Sequence, residues 1–308
     1  MKTAFIFPGQ ASQYVGMGQD LYETYPDAKN IFDTADEILG FDLKAVCFKG
    51  PEEKLKQTYI TQPAIFVHSV AVFHLLKIKN ITPEAVAGHS LGEYSALVAA
   101  GAMEFEDGLK LVQRRGELMH QAGREKPGTM AALIGLSPDK VYEICDQLKN
   151  EGIVQPANFN SPGQIAISGD ITTVHKAIGQ AKAAGAKKAV ELVVSGAFHS
   201  PLMKDAQIGL KEALDKISIK DARVPLYSNV EAKPVQDAGR IRDLLYRQLT
   251  HPVRWQEIVE NMIEDGYSNF YEVGPGKVLK GLQKRINRKI PCKEMGTVEQ
   301  IEKSGEEA

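Results

Sequence analysis

Apolar residues along the chain recur either in short continuous runs or at helical spacing, and the two rhythms alternate. Ala4-Phe5-Ile6-Phe7 is a continuous run stopped by Pro8-Gly9-Gln10, which predicts a buried strand followed by a loop. A polar stretch then leads into a helix around Met17–Tyr25. A second helix after Pro26 puts Ile31, Phe32, Ala35 and Ile38 on one face. Pro63–Lys77 carries Ile65, Val67, Val70, Val72, Phe73 and Leu76, a strongly apolar helix suited to the core. Ala85-Val86-Ala87 predicts another strand, and the helix after it closes at Gly101, a residue that favours helix ends. Phe105–Gly123 predicts a further helix with Arg114 and Arg115 in its middle.

Residues 125–195 have their own order. Met130–Ile134 reads as a strand, and Ser137-Pro138-Asp139 starts a helix with Val141, Ile144, Cys145 and Leu148 at helical spacing. Val154–Phe159 and Gln164–Ser168 form a hairpin around Ser161-Pro162-Gly163. Val174, Ala177, Ile178 and Ala181 mark a helix ended by Gly185, and Ala189–Val194 is a last strand. The order βαββαβ is the ferredoxin-like pattern. The expected organisation is therefore a small ferredoxin-like unit, 125–195, inserted into a larger α/β domain made of 1–124 and 196–308. After the insert, Val224–Ser228 and Asn269–Val273 predict strands, and Ile241–Leu249, Trp255–Asp265 and Lys277–Ile286 predict helices. Gly274-Pro275-Gly276 lacks the spacing of a phosphate-binding loop and reads as a structural turn. The acidic end, Glu302–Ala308, is expected to be a frayed tail.

Composition narrows the function classes. The chain has 308 residues, 43% apolar and 25% charged, with a net charge of −2, so no global field favours nucleic acid or a membrane surface. Cys47, Cys145 and Cys292 are far apart and form no CxxC pair, which argues against a disulfide scaffold or a zinc site. Met1-Lys2-Thr3 runs straight into the first strand, with no room for a signal peptide, and no apolar run approaches membrane-spanning length. A soluble, cytoplasmic protein is expected.

The residues with chemistry start at Gly88-His89-Ser90-Leu91-Gly92, a G-x-S-x-G motif between a predicted strand and a predicted helix. Glycines on both sides permit a sharp turn that presents the Ser90 hydroxyl, and the N–H groups opening the helix can stabilise an oxyanion. A serine nucleophile needs a base. Among seven histidines, His68 and His74 lie on the apolar helix and suit packing, while His120 and His175 suit surface helix positions. His199, in Gly196-Ala197-Phe198-His199-Ser200-Pro201, sits in a loop after a strand, where catalytic groups concentrate. His251, in Thr250-His251-Pro252, is the second candidate.

Six segments now line up. Gly9-Gln10-Ala11-Ser12-Gln13, Gly88-His89-Ser90-Leu91-Gly92-Glu93, Gln113-Arg114-Arg115-Gly116, Gly196-Ala197-Phe198-His199-Ser200, Gln248-Leu249 with Pro252-Val253-Arg254-Trp255, and Glu272-Val273-Gly274-Pro275-Gly276 occur in this order. The chain thereby resembles the malonyl-CoA:acyl-carrier-protein transacylases from residue 4 to about 290. The resemblance implies an α/β hydrolase-like domain with a mostly parallel sheet and a ferredoxin-like insert. It implies Ser90 as nucleophile, His199 as general base and acid, and the Gln248 backbone carbonyl as the group that orients His199. It implies an oxyanion hole from the N–H groups of Gln10 and Leu91, and Arg115 as partner of the malonate carboxylate, a planar bidentate match. His89 and Asn160 would line the site, and Phe198 would crowd an α-methyl branch. Ala11 stands where the family usually has glycine, which matters only if that position needs a positive φ.

The resemblance also implies malonyl-CoA as substrate, no bound cofactor or metal, and holo acyl carrier protein as partner of a monomer. Lys277, Lys280, Lys284, Arg285, Arg288 and Lys289 form a stretch free of acidic residues, suited to an acidic carrier protein. Three other functions remain open at this point: an acyltransferase serving a polyketide synthase, a serine hydrolase using His251 with Asp237 or Asp243, and a non-catalytic carrier-binding module.

Overall fold

A computed structural model describes residues 1–306. Its strands, among the described residues, are β1 (Lys2–Phe7), β2 (Ala85–Gly88), β3 (Gly128–Ile134), β4 (Val154–Ser161), β5 (Gln164–Asp170), β6 (Lys188–Glu191), β7 (Leu226–Tyr227), β8 (Pro234–Val235), β9 (Tyr267–Val273) and β10 (Cys292–Met295). They form a six-stranded sheet in the order β10-β9-β1-β2-β7-β8 and a four-stranded sheet in the order β4-β5-β3-β6. The larger sheet is parallel except for β8. The smaller is antiparallel throughout.

β1 is central because its apolar run buries both faces. Phe5 and Phe7 join the large core cluster with Phe66 and Leu97, whereas Ala4 and Ile6 join a second cluster with Trp255 and Phe270. Its register sets Phe7 opposite Gly88 and Ile6 opposite Glu272. The loops after β1, β2 and β9 therefore leave the same edge of the sheet, the carboxyl end where ligands of open α/β sheets bind.

The Thr58–Ile78 helix starts five residues before the expected Pro63, which lies inside it. Proline in a helix removes one backbone bond, and here sixteen of the 21 residues are buried around it, so packing outweighs that loss. By length and composition this helix could cross a membrane, contrary to the sequence expectation, yet most of it is enclosed by the protein.

In the smaller sheet, strands and helices alternate as expected, all between residues 128 and 191. One strand is shorter than its apolar run: β6 stops at Glu191, and Val193 beyond it is fully exposed. The acidic tail also differs. Val298–Glu306 is a helix, seated by the buried Ile301 and by the Val298 N–H on Asp20 Oδ2 at 2.8 Å. Residues 307–308 of that expected tail lie outside the described residues. The Lys204–Leu214 helix and β10 were not foreseen.

Candidate active site

The turn after β2 is built on close approach. A Cβ on Gly88 would lie 1.9 Å from the Gly92 carbonyl carbon, and one on Gly92 would lie 2.0 Å from the Phe7 oxygen. Only glycine fits at either place. Between them Ser90 takes φ +52°, a left-handed conformation that costs a non-glycine residue about 1–3 kcal/mol and persists where the surroundings enforce it. Asn229 supplies that enforcement: its Oδ1 accepts the Ser90 N–H at 2.7 Å and its Nδ2 donates to the Gly88 carbonyl at 2.6 Å.

Ser90 Oγ lies 2.9 Å from His199 Nε2, and His199 Nδ1 lies 2.9 Å from the Gln248 carbonyl oxygen. That carbonyl only accepts, so Nδ1 carries the proton and Nε2 is left to accept from the serine. His199 also has a left-handed φ of +57° and is almost fully buried. Burial first, and the Arg115 charge second, push its pKa down to about 3, so the ring is neutral and able to act as a base at neutral pH.

Arg115 is fully buried. One guanidinium nitrogen, Nη2, donates to Ser90 Oγ at 3.0 Å and to Gln248 Oε1 at 2.9 Å; Nη1 donates to Gln62 Oε1 at 2.7 Å. Its neutral glutamine partners leave the positive charge available within reach of the nucleophile. Neighbouring Arg114 points outward to Glu117, a surface pair of small worth.

Residues 4–304 match the acyl transferase domain family. The malonyl CoA-acyl carrier protein transacylase of Bacillus subtilis is 48% identical over 302 residues, covering 98% of this chain and 95% of that protein. An acyl carrier protein S-malonyltransferase from Vibrio cholerae superposes with a TM-score of 0.96 at 43% identity, covering 99% of this chain and all of the other. The chain belongs to the malonyl-CoA:acyl-carrier-protein transacylase family. A further solved member, a malonyl-transacylase in complex with its type II polyketide acyl-carrier protein, superposes with a TM-score of 0.96 at 41% identity over the full length of both chains.

As a transacylase-family acyltransferase, the chain brings most of its foreseen site residues to one place. Ser90, His199, Gln248 and Arg115 are in direct contact. Gln10 reaches the cluster through its side chain, with Oε1 accepting from Gln62 Nε2 at 3.4 Å and Nε2 donating to Thr58 Oγ1 at 3.3 Å. Leu91 is buried directly after the serine. His89 Nε2 and Asn160 Oδ1 pair at 2.8 Å, with the His89 ring against Trp255. Phe198 is buried in the large core cluster.

The hydrolase arrangement is not assembled. His251 Nδ1 lies 2.8 Å from the Arg247 carbonyl, Asp237 caps a helix through the Arg240 N–H, and Asp243 pairs with Arg240. The basic stretch is exposed as expected, but it is less free of acid than its sequence implied: Lys280 pairs with Glu294 of β10 at 2.8 Å.

Four contributors escaped the sequence reading. Gln62 holds Arg115, Asn229 holds the turn, and Gln155 Nε2 donates to the His199 carbonyl at 2.7 Å. Glu93 is the fourth. Its Oε2 accepts from Gln248 Nε2 at 2.6 Å and its Oε1 from the Asn229 N–H at 3.3 Å. Burial pushes the Glu93 carboxyl up to about 7, against the opposing pull of Gln248, Asn229 and Arg115. Only Glu93 had a signal: a carboxylate inside an otherwise apolar helix start is rarely buried without partners.

Proposed function

We propose that this protein moves a malonyl group from malonyl-CoA to the phosphopantetheine thiol of an acyl carrier protein, through an ester on Ser90. The observation that carries the reading is Arg115. A fully buried guanidinium placed 3.0 Å from the nucleophile and held by neutral amides suits an acyl chain ending in a carboxylate. The established activity of its relatives, stated in their names, points the same way.

In the first half-reaction the Ser90 Oγ–H proton passes to His199 Nε2 as Oγ attacks the thioester carbonyl. The N–H groups of Gln10 and Leu91 would receive the oxyanion. The Ser90 N–H is unsuited to that role because Asn229 occupies it. Collapse breaks the C–S bond, and the departing thiolate takes the proton back from His199. In the second half the pantetheine thiol gives its proton to His199 and attacks the ester, and Ser90 Oγ leaves with that proton. The Nδ1–H bond to the Gln248 carbonyl keeps the ring in the tautomer both halves need. Coenzyme A thioester enters as substrate, and no step requires a resident cofactor or metal. On this reading the chain works as a cytoplasmic monomer, the antiparallel unit at 125–195 is a ferredoxin-like insert in a hydrolase-like domain, and the basic Val278–Ile286 face meets the carrier protein.

Fatty acid synthesis is the expected consumer. A polyketide role is favoured by one observation, the likeness to a transacylase that serves a polyketide carrier, and preference between the two kinds of carrier protein separates them. The deciding experiment is intact-mass spectrometry after mixing with malonyl-CoA. A malonyl adduct that disappears in Ser90→Ala and passes to carrier protein supports the proposal. Label retained on the alanine variant overturns it.

A further inference from the structure

We propose that Glu93 is a positioning residue that sets the preference for carboxylated acyl groups, by fixing the direction of the Gln248 side-chain amide that holds Arg115. The inference rests on the acyl-transfer reading of Ser90 and extends it to a residue that touches no substrate.

The Gln248 amide has a carboxylate at one end and a guanidinium at the other. Its Nε2 donates to Glu93 Oε2 at 2.6 Å and to the Ser90 carbonyl at 2.9 Å, while its Oε1 accepts from Arg115 Nη2 at 2.9 Å. An amide can be turned end for end with little change in shape, and only its partners decide which way it faces. With Glu93 ionised, the reverse orientation would set the amide oxygen against a carboxylate and the Ser90 carbonyl, and the amide N–H against a guanidinium. Both contacts would be lost. Glu93, as the shorter of the two acceptors on Nε2, therefore reinforces the orientation in which Gln248 presents an acceptor to Arg115. The same carboxyl receives the backbone N–H of Asn229, whose side chain braces the Ser90 turn. All four groups are buried, so a misdirected amide could not be compensated by water.

Removing the carboxyl should release the Gln248 amide and let the guanidinium drift from the acyl carboxylate. Transfer of a carboxylated acyl group should suffer more than transfer of acetyl, which makes no use of the guanidinium. A merely structural role would lower both alike. The experiment compares acyl-enzyme formation from malonyl-CoA and acetyl-CoA in wild type, Glu93→Leu, Glu93→Gln, Gln248→Leu and the double leucine variant. Glu93→Leu should lower the malonyl-to-acetyl ratio about tenfold or more, as loss of a hydrogen bond to a charged group does. Glu93→Gln, which can turn its carbonyl to Gln248, should restore most of the ratio. Gln248→Leu should lower the ratio as well, and the double variant should fall no further than the worse single, because both changes act through one amide. Replacing both partners of a buried hydrogen bond by apolar groups is tolerated, so the double variant and Glu93→Gln decide the matter if Glu93→Leu fails to fold. A ratio at the wild-type value in folded Glu93→Leu or in the double variant overturns the inference alone. So does a double variant whose loss is the product of the two single losses. Wild type that forms no malonyl ester overturns the acyl-transfer reading with it.

Discussion

The protein presents positive charge in two places, and they obey different physics. Around Ser90, one guanidinium is sealed from water and fixed by three hydrogen bonds of 2.7–3.0 Å. Along Val278–Ile286 and the residues after it, several cations stand in solvent, and one of them, Lys280, already has an ion-pair partner. In the first place geometry decides everything, because a buried charge that loses a partner cannot find water. In the second, attraction is long-range, additive and screened by salt. Changes at the buried site should therefore alter which reaction occurs. Changes at the surface should alter only how fast a partner arrives.

The largest separation should come from the histidines. His199→Ala should slow acyl transfer by about a hundred- to ten-thousand-fold, the usual contribution of a general base. His251→Ala should have little effect, since that ring is engaged with the Arg247 carbonyl. Steady-state rates for the two variants check this, and a larger loss at His251 would break the assignment.

Arg115→Ala comes next. Malonyl loading should fall by about a hundredfold, from loss of charged hydrogen bonds of about 1.5–3 kcal/mol each. Acetyl loading should be spared or raised, because wild type leaves the guanidinium partly unpaired when acetyl binds. Methylmalonyl-CoA, assayed alongside, tests whether Phe198 crowds a branched chain. The same variant has a signature in pH. Burial and the Arg115 charge hold the His199 pKa down at about 3, so wild-type kcat/KM should show no loss of the base between neutrality and about pH 5. Removing the positive charge favours the imidazolium, raises that pKa and moves the acid limb to higher pH. An acid limb in the same place in both proteins would show that Arg115 does not act on His199.

Reversing charge at Lys280 and Lys284 together should slow transfer to carrier protein by about tenfold or less at low salt, with the effect fading as salt rises. Loading from malonyl-CoA should be unchanged. Equal loss in both half-reactions would remove the contrast between the two regions.

The legible part of the structure was the part with local signals. β3 to β6 and their helices were readable because alternation, helical spacing and the turns at Ser137 and Gly163 all act within a few residues. β10 was not, because Cys292-Lys293-Glu294-Met295 is short and half charged and becomes a strand only by pairing with β9. In the site, Ser90 is announced by its flanking glycines, and Arg115 and His199 by the family resemblance. Gln62, Gln155 and Asn229 come from segments distant from Ser90 and meet it only when the chain folds, so no spacing encodes them, whereas Glu93 stands three residues after the serine and is marked only by its charge in an apolar helix start. Ala11 is an intermediate case. The sequence posed the question of its φ, and the structure answers with +78°, the N–H being held by Gln13 Oε1 at 2.9 Å. Ala11→Gly should accordingly raise stability by about 1 kcal/mol, the cost of a left-handed alanine. A lower melting temperature in that variant would refute the strain.

The smaller sheet is tied beside the site to the loops that carry His199, Thr250 and Val253. The backbone of β4 exchanges hydrogen bonds with Val253, from the Phe159 N–H at 2.9 Å and to the Ala157 carbonyl at 2.8 Å, and Gln155 reaches across to the carbonyls of His199 and Thr250. Any movement of the smaller sheet away from these loops would have to break these bonds. Selection of acyl groups by charge, the role proposed for Arg115, would need no such movement.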